Sequence, residues 1–207
     1  MGLFKRFLGQ TRKPEGFFGK LMLNAMNQGH AALSDWGLSY IEGLSPLVIA
    51  ELGCGGGRNA RELLRRYPMA KLYAVDYSAL AVCRTRAYNK PALVRGRCRV
   101  LKASVQSLPL AASRFDLATA FETVYFWPDL AECFAEVYRI LKCGGSFLIC
   151  NESDGTDAEG LRYKRIIDGM HCYTAEELKT LLRTAGFSEV RIFRHETKPW
   201  LTVLARK

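Results

Sequence analysis

No Cys-x-x-Cys pair occurs among the seven cysteines, at 54, 83, 98, 133, 143, 150 and 172, and none stands at metal-ligand spacing. That absence excludes a zinc ribbon and a disulfide framework, and no metal centre is expected. An odd cysteine count without paired spacing points instead to a reducing cytoplasm. Apolar runs are also short: nothing approaches the ~20 residues of a spanning helix, so stable membrane insertion is not expected. The leader Met1-Gly2-Leu3-Phe4-Lys5-Arg6-Phe7-Leu8 is basic and apolar, but its apolar blocks are too broken for a secretory signal. Arg6 stands where N-myristoylation wants Ser or Thr. No internal repeat or low-complexity tract is visible.

Acidic residues are missing altogether between Tyr77 and Phe115, a stretch that carries Arg84, Arg86, Lys90, Arg95, Arg97, Arg99, Lys102 and Arg114. With a formal net charge of +10 overall, such a face suits phosphates, an anionic lipid surface or an acidic substrate. The plainer reading is a solvated helix-and-loop surface, because Tyr88 is the sole stacking ring inside the stretch.

What is present centres on Val48-Ile49-Ala50-Glu51-Leu52-Gly53-Cys54-Gly55-Gly56-Gly57, an apolar strand that ends in an acid and enters four glycines within five positions. A buried parallel strand handing over to a helix through a turn that leaves room for a ligand has this form. Residues 58–67 read as the helix, stopped by Pro68. The next strand, 71–75, ends at Asp76, where a carboxylate can accept both hydroxyls of a ribose. Taken alone these features leave two cofactor classes open, since Gly55-x-Gly57-x-x-Ala60 also fits a nicotinamide fingerprint.

The remaining segments make the chain resemble a class I S-adenosylmethionine (SAM) dependent methyltransferase. Glu51-Leu52-Gly53-Cys54-Gly55-Gly56-Gly57 is similar to that family's first motif and Val75-Asp76-Tyr77-Ser78 to its second. Ser104-Val105-Gln106-Ser107-Leu108-Pro109-Leu110 resembles the third, with Ser104 where the family usually has Asp. Phe115-Asp116-Leu117-Ala118-Thr119-Ala120-Phe121 resembles the fourth strand. Ile140-Leu141-Lys142-Cys143-Gly144-Gly145 resembles the turn before the fifth, with Cys143 in place of Pro. The nearest flavour is the ubiquinone/menaquinone-biosynthesis-like branch, whose members act mostly on small molecules.

The resemblance implies an α/β, Rossmann-like three-layer sandwich with a seven-stranded, mostly parallel sheet and an antiparallel last strand. Residues 46–207 would form the methyltransferase domain and residues 1–45 a helical leader and lid. Within that lid, 16–27 reads as an amphipathic helix and Ser34 as the cap of a second. Further strands are expected at 98–101, 115–120, 146–151, 187–194 and 200–205. Pro91 is expected to close the helix after Ser78, Pro128 to open the next, and a short helix is expected near 161–167. Thr174-Ala175-Glu176-Glu177 forms a capping box for a helix ended at Gly186.

The same resemblance implies roles. Glu51 faces the α-amino group of SAM; the turn with Gly53, Cys54, Gly55 and Gly57 brings backbone amides to the methionyl and ribose portions; Asp76 takes the ribose diol. Tyr77 lies on adenine, Ser104 and the Val105 amide meet its polar edge, and Phe121 lies near the methyl. S-adenosylhomocysteine is the expected product. Methyl transfer needs chiefly alignment and a dry site, and a base only where the acceptor arrives protonated. Glu122 is the leading acceptor-side group and His30 the second, with Asp35, Glu152 and His171 as further proton acceptors. Trp36 and Trp127 read as packing.

A small-molecule methyltransferase is thus the first reading. The alternative is an rRNA or tRNA methyltransferase using the basic face Arg84–Arg114. Against it, the Asn/Asp-Pro-Pro-aromatic tetrad of amino-methylating nucleic-acid enzymes is missing where Phe121-Glu122-Thr123-Val124 stands. A third reading is a nicotinamide oxidoreductase or nucleotide-binding module. The sequence does not name the acceptor atom or the oligomeric state.

Overall fold

The structure is a computed structural model and describes residues 29–207; the expected helix over 16–27 and the leader lie outside the described residues. Strands β1 (Val48–Leu52), β2 (Lys71–Asp76), β3 (Cys98–Lys102), β4 (Phe115–Phe121), β5 (Leu141–Asn151), β6 (Glu189–Arg194) and β7 (Leu201–Arg206) form one sheet. Its order is β3-β2-β1-β4-β5-β7-β6, with β7 antiparallel to both neighbours. The helices are α1 (Ala31–Ser39), α2 (Arg58–Arg66), α3 (Ala79–Tyr88), α4 (Lys90–Val94), α5 (Leu130–Ile140), α6 (Ala158–Ile166) and α7 (Ala175–Thr184). No helix among the described residues is long and apolar enough to cross a membrane.

Strand periodicity divides the core into two layers. Ile49, Leu72, Leu117 and Leu148 pack with Leu33 and Leu38 of α1, Leu63 and Leu64 of α2, and Val82 of α3. Their chain neighbours Ala50, Ala118, Phe147 and Ile149 face Phe134 and Val137 of α5 and Leu178 and Leu182 of α7. Both faces of the central strands are therefore apolar, which explains why β1 and β4 read as continuous rather than alternating hydrophobic runs. Because α1 shares its core with the sheet, this part of the expected lid is packed onto the domain that it covers. The capping box at Thr174 and Glu177 forms as expected.

Several local expectations are corrected. Ser34 does not cap a helix: it lies buried inside α1, which begins three residues earlier. The helix capped by Ser78 ends at Tyr88 as expected, but Pro91 does not close the segment: it sits in the first turn of a further short helix, α4, where its missing N–H costs nothing. Pro128 precedes the next helix, whose cap is Asp129, a residue at φ +30° whose carboxylate accepts from the Glu132 amide. Asp157 caps α6, which starts at Ala158. The fifth strand begins at Leu141, earlier than the glycine pair suggests, with an irregularity in its pairing between Phe115 and Leu117.

The order of strands places a topological switch between β1, which has β2 on one side, and β4 on the other. A crevice at the carboxyl edge of the sheet forms at such a point. The ends of β1, β2, β4 and β5 deliver Gly53, Tyr77, Glu122 and Glu152 to that edge.

Candidate active site

The glycine turn is held from below and from the side. Gly53 and Cys54 donate their amides to the Val75 carbonyl at 2.8 and 3.0 Å, and Gly57 donates to Cys54 at 2.8 Å. Gly55 donates to the Asp76 carboxylate at 2.9 Å. These four amides, which the resemblance assigns to the cofactor, are thus engaged inside the protein; the turn offers a side-chain-free surface. Gly53, at φ +79°, could carry no Cβ without colliding with Thr123, and Gly57, at φ +84°, none without meeting Asn89 and Thr85 at 2.8 Å. From α3, Thr85 Oγ1 donates to the Gly55 carbonyl at 2.9 Å and Asn89 Nδ2 to the Gly57 carbonyl at 2.9 Å. Thr85 and Asn89 carry no motif in the sequence. The Cys54 thiol is pushed well up by burial and by the Asp76 charge, which keeps it protonated.

Asp76 is buried at the end of β2, and its second oxygen accepts from the Ser78 amide at 2.9 Å. Burial pushes its carboxyl up against the opposing pull of the Ser78, Gly55 and Tyr77 amides. Tyr77 is 41% exposed beside it. Ser104 is exposed and its hydroxyl accepts from the Gln106 amide at 3.3 Å, whereas Val105 turns its side chain into the core.

Glu51 stands beneath the turn. Its register partner on β4 is Thr119, and two residues in register on one face of a sheet put their side chains together. The Thr119 hydroxyl donates to the Glu51 carboxylate, and the glutamate is 1% exposed. Burial pushes its carboxyl up to about 8, only partly offset by that hydrogen bond. It does not line the cleft itself, whose walls are His30, Ser34, Gly53, Cys54, Gly55, Gly56, Arg58, Asn59, Phe121 and Glu122.

Across the turn, Phe121 is buried at the end of β4 and Glu122 follows at φ +56°, a strained angle for a glutamate. The Tyr125 hydroxyl donates to Glu122 at 3.1 Å, the Glu152 amide donates to the same oxygen, and the Ser153 amide donates to the Tyr125 oxygen at 3.0 Å. Burial pushes the Glu122 carboxyl up to about 7, with the His30 charge pulling the other way. His30 Nε2 lies 3.5 Å from Glu152. Burial pulls its pKa down, but the Glu152 hydrogen bond and the charges of Glu122 and Glu152 together carry it above its ordinary value. His30, Glu122 and Glu152 bring ligating atoms within 4.8 Å of one another, a juxtaposition that linear spacing did not reveal. His171 packs against Tyr173 at a tilt, 4.3 Å between ring centroids, and does not line this cleft. Trp127 is core, stacked on Phe147; Trp36 packs against Tyr40 and Trp200.

Asp35 of α1 accepts from Arg58 through both oxygens at 2.8 Å and so ties the covering helix to the start of α2. With α1 in this position the cleft measures about 50 Å³.

Residues 50–149 match the family model described as a methyltransferase domain. The chain is 30% identical over 166 residues to a malonyl-[acyl-carrier protein] O-methyltransferase of Geobacter sulfurreducens, covering 75% of this chain and 61% of that protein. It is 29% identical over 129 residues to cycloartenol-C-24-methyltransferase 1 of Oryza sativa, spanning 61% of this chain but only 37% of that one. A Bacillus subtilis methyltransferase, YdaC, is 25% identical over 173 residues, 84% of this chain and 89% of its own. Among solved structures, a SAM-dependent methyltransferase from Aquifex aeolicus superposes with a TM-score of 0.73 at 18% identity, over 89% of this chain and 96% of that one. A Haloferax volcanii methyltransferase solved with the Trm112 methyltransferase activator gives 0.80 at 17% identity, over 100% and 98%. At those identities the structures speak for the fold alone; the matched methyltransferase domain and the methyltransferase relatives place this chain in the class I SAM-dependent methyltransferase family.

Proposed function

We propose that the protein transfers a methyl group from SAM to a small-molecule acceptor by in-line displacement. The observation that carries this reading is the crevice at the switch point, walled on one side by the Gly53, Gly55 and Gly56 backbone and on the other by Phe121 and the half-buried Glu122. When bound, SAM supplies a methyl carbon on a positively charged sulfur. The residues present suit it: the glycine turn admits the methionyl and ribose portions, Asp76 accepts from the ribose diol, and Tyr77, Ser104 and Val105 flank the adenine. Glu51 sits beneath the turn that receives the α-amino group, its buried carboxyl holding a proton until about pH 8. Glu122 holds the acceptor's proton, with a pKa near the working pH, as a general base requires, and His30 steadies that charge.

The cleft volume of about 50 Å³ lies below the range of about 300–1,000 Å³ typical of small-molecule sites. We infer that loading shifts the start of α1, where His30 and Ser34 line the cleft, away from the turn, with the Asp35–Arg58 pair as the latch. Asp35→Ala should cost less than about 1 kcal/mol of stability, because the carboxylate is half exposed. S-adenosylhomocysteine should then associate several-fold faster in stopped-flow fluorescence. An unchanged rate would show that α1 does not gate the site.

An RNA acceptor has weaker support, since part of the basic stretch is used internally. Arg97 donates to the Ala70, Leu64 and Tyr67 carbonyls, Arg86 to the Val100 carbonyl, and Arg114 to the Tyr73 hydroxyl at 2.6 Å. Thermal shift tests the donor: S-adenosylhomocysteine at 100 times its Kd should add about 2.7 kcal/mol. Stabilisation by NADH and none by S-adenosylhomocysteine would end the methyltransferase reading.

A further inference from the structure

We infer that the second cavity, on the far side of Glu122 from the glycine turn, is the acceptor site and that it takes an organic ammonium: an amine carried on an apolar or aromatic body. This rests on the methyl-transfer reading above. The cavity holds about 310 Å³ and shares Glu122 with the donor cleft, so one carboxylate faces both spaces. Its wall combines Tyr125, Tyr163, Met170 and Trp200 with the carboxylates of Glu122, Glu152, Asp157 and Glu159. Lys198 also lines it, and His30 adds a second cation beside Glu152 when protonated. On a chain whose formal net charge is +10, a wall with four carboxylates is a local reversal of sign. A carboxylate or phosphate acceptor would enter against that field, and a cation would enter with it.

A second observation is independent of the acidic count. The Lys198 ammonium lies 4.0 Å from the centroid of the Trp200 ring. An alkylammonium, the protein's own, thus already sits on an aromatic face of the cavity, the geometry in which a ring quadrupole attracts a cation. That ring is held in place by His195, 4.8 Å away, and Trp36, 5.9 Å away, so its face is preorganised. Lys198 itself is exposed, on the turn between β6 and β7, and can withdraw without disturbing the core. An incoming amine would take its place on Trp200 and meet Glu122 and Glu152 at the end nearest the donor cleft. Its N–H bond then breaks, the proton passes to a Glu122 oxygen, and the nitrogen keeps the electron pair that makes it a nucleophile.

Calorimetry on the full chain with three probes of one shape tests this: benzylamine, benzyl alcohol and benzoate. Benzylamine should bind at least tenfold more tightly than the alcohol, and benzoate should not bind measurably. Lys198→Ala should tighten benzylamine several-fold and leave the alcohol unchanged, the opposite of what loss of a merely structural residue would do. Trp200→Leu should weaken benzylamine by about 2- to 30-fold; should it fail to fold, the Lys198 variant still decides. Equal binding of alcohol and amine, or preference for benzoate, would overturn the inference. So would stoichiometric Mn²⁺ binding at His30, Glu122 and Glu152 that excludes the amine. S-adenosylhomocysteine titrated in parallel separates the two claims: its binding without amine preference sinks the acceptor class alone. Amine binding without it sinks methyl transfer and leaves a cation site.

Discussion

Glu51→Gln should raise the melting temperature at pH 8 and leave it nearly unchanged at pH 4. The glutamate is 1% exposed, its charged form is disfavoured by burial, and its carboxyl is pushed up to about 8 from an ordinary 4.5. A folded-state pKa above the unfolded one means that the folded chain holds the proton longer, so stability is fully present below about 4.5 and is lost as pH rises through about 8. At ~1.4 kcal/mol per pKa unit, the loss is on the order of 3–5 kcal/mol above that window. Glutamine keeps the shape and an oxygen for the Thr119 hydroxyl but never ionises, so the variant escapes the loss. Urea unfolding of both proteins across pH 4–9 measures this as a widening gap. A gap independent of pH would mean that Glu51 is charged in the fold. Asp76 and Glu122 are also shifted upward and slope the same way in both proteins, so only the difference isolates Glu51.

Why a proton-holding glutamate sits there could not be read from its own neighbourhood in the chain. The strand, the glycines and Asp76 are local patterns, and local patterns were legible: the parallel alternation and the antiparallel β7 stand where the sequence expectation puts them. What stayed hidden depends on pairings between distant segments. Thr119 reaches Glu51 through strand register across 68 positions, and Thr85 and Asn89 reach the glycine turn from α3 across about thirty. Helix starts were missed where a breaker has two lawful uses: Pro91 opens a short helix after the expected end at Tyr88, and Pro128 precedes a cap. The cavity beyond Glu122 was legible only in part: its aromatic segment after β4 was visible, whereas Trp200 and Lys198 arrive through the reversal at β7.

The distinction between a structural and a ligand-holding carboxylate is sharpest at Asp76, where two variants should diverge. Asp76→Ala leaves the Gly55 and Ser78 amides without their acceptor and should cost about 1–3 kcal/mol of stability. Asp76→Asn keeps an acceptor oxygen for one of those amides and sets an NH2 donor against the other, so it should lose part of that stability and still fold. A ribose diol presents two hydroxyl donors, and an amide nitrogen facing one of them repels where a carboxylate accepts. Asn should therefore weaken S-adenosylhomocysteine by roughly 5- to 150-fold, the equivalent of about 1–3 kcal/mol, in a protein that still unfolds cooperatively. The wild-type affinity should also fall as pH drops through the Asp76 carboxyl's raised pKa, because the protonated acid can no longer accept from both hydroxyls. Calorimetry at pH 5 and 8 on both proteins reads the two effects together. A well-folded Asn variant that binds as tightly as wild type would leave Asp76 as a strut for the turn and move the sugar contact elsewhere.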